Sequence, residues 1–134
     1  MQYTISNNLN EITKIQQSFI TESASVGLEL IWVRKMNIVI DEILSNIIKY
    51  AYDEKNIHPI NITFHTISKS KVRIGFVDQG KRFNPLTFDK PNLAKMAEKI
   101  EEGGLGIHLV TRLVNNMDYK RIQNKNHLIV EMTF

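Results

Sequence analysis

Glu42 and Asn46 lie four residues apart in the stretch Asp41-Glu42-Ile43-Leu44-Ser45-Asn46-Ile47-Ile48-Lys49-Tyr50-Ala51-Tyr52. In a helix they project from one face, one turn apart. A carboxylate and a carboxamide at that spacing can hold a divalent cation, or a cation and a water. The same pair is also an ordinary solvated surface pair, so its meaning depends on its surroundings. Two further stretches carry chemistry. Asp78-Gln79-Gly80 ends an alternating apolar run. A carboxylate there can accept from an exocyclic amine such as that of adenine, and a glycine lets a flat ring approach the backbone. It is equally the pattern of a strand-ending turn. Gly103-Gly104-Leu105-Gly106 opens a helical pattern, where free backbone N–H groups face an anion, or where the entrance is simply flexible. The polar stretch Lys95 to Glu102 precedes it in place of a buried strand, which excludes a dinucleotide-binding fingerprint, and no GxxxxGK[ST] loop occurs.

These residues need elements to position them. Ile40, Ile43, Leu44, Ile47, Ile48 and Ala51 recur at helical spacing, so a helix from about Glu29 to Tyr52 buries one stripe and presents Glu42 and Asn46 on another. Before it, Gln2 to Ser6 alternates as a strand. Asn8 is the N-cap and Glu11 the capping-box residue of a helix to about Ser23, and Gly27 breaks it. Asp53-Glu54-Lys55-Asn56 and His58-Pro59 stop the second helix. Ile60/Ile62/Phe64 and Val72/Ile74/Phe76 alternate around Ser68-Lys69-Ser70 as an antiparallel hairpin. Phe83 to Glu102 holds the breakers Asn84-Pro85 and Lys90-Pro91, with a short helix over Asn92 to Glu102, and its length suits a lid. A third helix follows, its buried stripe being Leu105, Leu109, Val110, Leu113 and Val114. Strands over Met117 to Ile122 and His127 to Phe134 close the chain around an Asn124-Lys125-Asn126 turn. The sum is an α+β two-layer sandwich, with three main helices on one face of a mostly antiparallel mixed sheet.

The 134 residues suit one domain, 1–134, with a sizeable core. A composition of 43% hydrophobic and 23% charged residues is that of a soluble globular protein. A net charge of +3 is too mild to argue for nucleic acid or a membrane surface. The absence of cysteine excludes a disulfide framework and a thiolate metal site, and fits a cytoplasmic location. No signal segment or membrane span is expected. His58, His65, His108 and His127 share no ligand spacing. Trp32 and Met36 read as helix packing.

The order of motifs resembles the GHKL (histidine kinase-like) ATPase superfamily. It runs from a helix with Glu-x-x-x-Asn, through a strand leading into Asp-x-Gly and a variable segment, to Gly-Gly-x-Gly opening a helix. The resemblance covers essentially the whole chain and implies the Bergerat-type ATP-binding fold. Its closest local matches are Asp41 to Asn46, Val77 to Gly80 with Phe83-Asn84-Pro85 behind, and Glu102 to Ile107. Within that superfamily the chain is most similar to the bacterial anti-sigma factor serine/threonine kinases, which bind a sigma factor and phosphorylate a STAS-domain antagonist. The resemblance implies ATP and Mg²⁺ as ligands, Asn46 on the metal and Glu42 as general base. Lys49 would reach a phosphate, Asp78 would bind the adenine amine, and Gly80 would lie beside the ring. Gly103, Gly104, Leu105, Gly106 and Ile107 would cradle the phosphates, with Leu86 to Glu102 as the lid. Lys81 and Arg82 stand where many relatives have a second glycine. The glycine–threonine pair common in the last hairpin of histidine kinases is replaced by Asn124-Lys125-Asn126-His127, which leaves part of the adenine site open. A non-catalytic ATP-dependent binding module and an ATP-binding subunit of another signalling system are the alternatives, and a homodimer is left open.

Overall fold

The computed structural model describes residues 1–87 and 105–134. Strand β1 spans Gln2–Ser6, and a 3-10 turn at Leu9–Glu11 leads into α1, Ile12–Ser25. Asn8 caps the turn by accepting from the Asn10 N–H at 3.0 Å. Glu11 pairs with Lys14. The helix ends where Gly27 adopts φ +68°, the Gly27 N–H reaching the Ala24 carbonyl and the Leu28 N–H the Ser23 carbonyl. That pair of bonds satisfies the last carbonyls and turns the buried Leu28 inward.

Helix α2, Leu30–Tyr50, is the longest element. Met36, Val39, Ile40, Ile43 and Leu44 are buried along one side of it, and Ile47 and Ile48 pack against the core. It lies between α1 and α3, Leu105–Leu113, and packs on both. The buried residues of α3 are Ile107 and Val110, while Leu109 faces outward, 41% exposed. Of the expected stripe, Val110, Leu113 and Val114 meet the core, while Ile107 takes the buried place expected of Leu109.

The sheet is built from β1, β2 (Pro59–Ile67), β3 (Lys71–Asp78), β4 (Asn116–Ile122) and β5 (Lys125–Thr133), in the order β1-β2-β3-β5-β4. All four pairings are antiparallel. Ile60, Ile62, Ile74, Phe76, Val130 and Met132 alternate toward the helices and close the core against Ile15 and Phe19. Across strands β3 and β5, Arg73 and Lys71 both pair with Glu131 and hold its carboxyl below the usual carboxylate range.

After the last turn, β5 begins two residues earlier than composition suggests, at Lys125. Gln123 and Asn124 both take positive φ, 50° and 60°, the two-residue turn whose twist matches that of the flanking strands. Asn126 consequently belongs to β5. Among the described residues, no helix is long and apolar enough to cross a membrane. The short helix expected over Asn92 to Glu102 lies outside the described residues, as does most of the Leu86 to Glu102 lid.

Ile40 is fully enclosed between α2 and the sheet. Ile40→Ala should lower the unfolding free energy by about 2–5 kcal/mol, with an unchanged urea slope, when unfolding is followed by circular dichroism.

Candidate functional site

The site begins with the C-terminal half of α2. Its apolar stripe fixes the rotation of the helix, so the next face, with Asn46 and Ile47, opens onto a cavity of about 390 Å³. Ile43, Ile47, Ile107 and Leu128 supply apolar walls, and Asp78, Asn126, Tyr119 and Asn46 supply polar atoms. Lys81, Arg82 and Phe83 border it from the segment after β3. An apolar slot with a few convergent polar groups is what a planar heterocycle needs.

Asp78 ends β3 inside this cavity, only 5% exposed. Its Oδ1 accepts from the Gly80 N–H at 2.8 Å and from Asn126 Nδ2 at 3.0 Å. Burial pushes its carboxyl up, and the Asn126 bond, the Gly80 N–H, Arg121 and His127 oppose that rise. Asn126 is the cavity residue that motif reading missed. Nδ2 also donates to the carbonyl of Lys81 at 2.8 Å. Its Oδ1 accepts from Tyr119 Oη at 2.6 Å and Arg121 Nη1 at 2.9 Å. The signal that could have found it was pairing register, which sets Asn126 opposite both Asp78 and Arg121. Placing the turn at residues 124–126 concealed that register.

Gly80 does not border this cavity. A Cβ there would overlap Ala51 at the end of α2, and the Lys81 N–H donates to the Ala51 carbonyl at 2.8 Å. Gly80 thus allows the loop after β3 to close onto α2, where a ring-contacting glycine had been expected. The Tyr52 hydroxyl accepts from the Gln79 N–H at 3.1 Å, which fastens the same loop from the other direction. Lys81 pairs with Asp53 at 2.7 Å.

Glu42 lies one turn before Asn46, half-buried, and is not part of the cavity wall. It faces the first turn of α3, where a Cβ on Gly106 would collide with its Oε2. Gly106 thus leaves the space that the Glu42 carboxylate occupies against the first turn of α3. Ile107 is buried on the cavity wall. Lys49 is exposed and is absent from that wall. Gly103 and Gly104 lie outside the described residues, and Leu105 begins α3.

The residues present suit an adenine nucleotide. One oxygen of Asp78 is engaged by protein donors, and among the described residues nothing donates to the other. No group of three or more His, Cys, Asp or Glu residues that could hold a metal ion occurs among the described residues. A cation here would draw most of its ligands from phosphates and water, with an oxygen from Asn46, the pattern Mg²⁺ favours.

The buried Asp78 also has a stability consequence. Its folded-state pKa is raised, so the fold loses stability as pH rises through the unfolded value to the folded one. Asp78→Asn keeps the shape and removes the buried charge. The variant should melt higher than the wild type at neutral pH, and the difference should vanish below the ordinary carboxylate range. Thermal melts across that range measure it.

The histidine kinase-like ATPase domain family matches residues 5–134. The serine/threonine-protein kinase BtrW of Bordetella bronchiseptica is 27% identical over 88 residues, 66% of this chain and 61% of that protein. The serine-protein kinase RsbW of Staphylococcus aureus is 30% identical over 109 residues, 75% of this chain and 64% of that one. The chain thus spans under two thirds of the length of these relatives. Among solved structures, the RsbU and RsbW domains of Rv1364c from Mycobacterium tuberculosis superpose with TM-score 0.64. That match has 11% identity and covers 99% of this chain and 32% of the other. The histidine kinase domain from Erythrobacter litoralis EL346 gives TM-score 0.57 at 12% identity, over 93% of this chain and 60% of the other. With the family matched across nearly its full length and the same fold found in both structures, this chain belongs to the histidine kinase-like ATPase domain family.

Proposed function

We propose that this chain binds Mg·ATP and acts as an anti-sigma serine/threonine kinase that phosphorylates a STAS-domain antagonist in a partner-switching pathway. The observation that carries the reading is the placement of Glu42 one turn from Asn46, beside the glycine that opens α3. The names of the kinase relatives support the same reading.

ATP enters as a substrate, its adenine in the apolar slot with the amine toward Asp78. The bound Mg²⁺ offsets the negative charge of the phosphates. Asn46 offers its amide oxygen on that side, and the first turn of α3 offers the Gly106 and Ile107 N–H groups to an anion. Glu42 takes the proton of the incoming serine hydroxyl as its oxygen bonds to the γ-phosphorus and ADP leaves. Catalysis of this kind is mostly positioning, so the distance between Glu42 and the start of α3 matters more than any new covalent chemistry.

Purified chain, Mg·ATP and a cognate STAS partner should give phosphoserine on the partner. Glu42→Gln should lower the transfer rate by about 100-fold or more while ATP affinity stays within a few-fold. Loss of ATP binding in that variant, or transfer that persists, would remove Glu42 from the role of base. Asn46→Ala should abolish the gain in affinity that Mg²⁺ confers, as read by calorimetry with and without the cation.

Gly106→Ala tests the approach of α3 separately. The added methyl displaces the flexible end of Glu42 more than any backbone. Stability should change by less than about 1 kcal/mol, while transfer falls by at least about tenfold. Thermal melts and initial rates read the two effects.

A further inference from the structure

We infer that Asn126, braced by Arg121 and Tyr119, orients the Asp78 carboxylate and thereby sets a preference for a 6-amino over a 6-oxo purine. The inference rests on the adenine-nucleotide reading above and assigns it a residue that the motifs did not contain.

Asp78, Asn126 and Arg121 form one row across β3, β5 and β4, each opposite the next in register. Cross-strand neighbours on one face stand close enough for side chains to bond directly. The amide of Asn126 is polarised from both ends. Its nitrogen faces acceptors only: Asp78 Oδ1, the Lys81 carbonyl at 2.8 Å and the Gly80 carbonyl at 3.4 Å. Its oxygen faces the Tyr119 hydroxyl and the Arg121 guanidinium. A flipped amide would set oxygen against a carboxylate and two carbonyls, and nitrogen against a cation. The orientation is therefore fixed by charge, with no other arrangement that satisfies the buried groups.

Two effects on Asp78 follow. First, Oδ1 is occupied by the Gly80 N–H and Asn126 Nδ2, so the carboxylate cannot rotate freely and Oδ2 is the oxygen left for a ligand. Arg121 Nη1 also donates to the Gly80 carbonyl at 2.6 Å, so the loop carrying Asp78 is tied to the last hairpin by two side chains. Second, the Asn126 bond is the largest single influence that favours the charged form of this buried acid. The other groups facing it are Arg121 and His127, which also favour the charged form, and Tyr52, whose hydroxyl is itself pushed up by burial and by the Asp78 charge. An ionised carboxylate only accepts, so it pairs with a 6-amino group and repels a 6-oxo group. A protonated one donates as well, and the discrimination is lost.

Arg121 does not border the cavity, so it acts through Asn126 and the loop. Both are positioning residues, and their test needs a readout that a mere hairpin tether would not move. Calorimetric titration of wild type, Asn126→Ala and Arg121→Met with Mg·ADP and Mg·GDP, from acid to neutral pH, supplies two. In wild type, ADP should bind more tightly than GDP, and its affinity should fall as pH drops through the value of Asp78. Asn126→Ala should shrink the ADP-to-GDP affinity ratio roughly ten- to a hundredfold and move the acid midpoint toward neutral. Arg121→Met should move both in the same direction by less, and it carries the test if Asn126→Ala does not fold by near-ultraviolet circular dichroism. Equal losses for both nucleotides with an unmoved midpoint would overturn the inference and leave Asn126 as a tether. A wild type that binds ADP with no preference over GDP would overturn it alone. A wild type that binds neither nucleotide would overturn the adenine reading and this inference with it.

Discussion

A carboxylate buried at the end of a strand is expensive unless donors surround it, and the arrangement around Asp78 follows from that cost. Its Oδ1 takes one donor from its own loop and one from β5. The β5 donor is held in turn by two groups on β4. The loop after β3 is fixed on its other side by α2, through the Ala51 carbonyl and the Tyr52 hydroxyl. One buried charge thus couples the end of the longest helix, the central strand and the edge hairpin. The apolar walls of the cavity stand on α2, α3 and β5, two of which border the same acid, so the slot and its acceptor are placed together.

The other end of the site depends on close approach. Helix α2 packs on both neighbouring helices, and its buried stripe leaves Glu42 at the edge toward α3. A side chain at position 106 would collide with that carboxylate. Here glycine makes room in the gap between two helices, and answers no unusual backbone angle. The space left by the missing Cβ holds the Glu42 carboxylate, so one substitution there would displace that carboxylate from the first turn of α3.

The fold was largely legible because its signals are periodic. The stripe of α2, the alternation of β2 and β3 and the glycine after α1 each specify an element through a repeat or a backbone need. What periodicity could not supply was register. The turn at Gln123–Asn124 has none of the glycine that usually marks a two-residue hairpin, and Asn124-Lys125-Asn126 looks more like a turn than its neighbours do. A shift of two residues at that turn decides whether Asn126 is a solvated turn residue or a strand residue beside Asp78. Gly80 has a further reason to be glycine: its Cβ position is taken by the end of α2, which no local pattern reveals. Lys49 came with the resemblance, and one further step around the helix carries it to the exposed face.

The side chain between Asp78 and β4 is then a matter of donor and acceptor capacity. A threonine hydroxyl donates once, while an asparagine amide donates twice and accepts twice. In this chain the position must serve Asp78, the carbonyl of Lys81, a tyrosine hydroxyl and a guanidinium together. Only a side chain of opposite polarity at its two ends meets all four. A hydroxyl there could accept from both Tyr119 and Arg121 but has a single proton to give, so it would leave either the Asp78 carboxylate or the Lys81 carbonyl without its donor. The amide therefore follows from the two acceptors on the β3 side: with a carboxylate and a carbonyl to serve there and a hydroxyl and a guanidinium on β4, the group between them has to donate twice on one side and accept twice on the other.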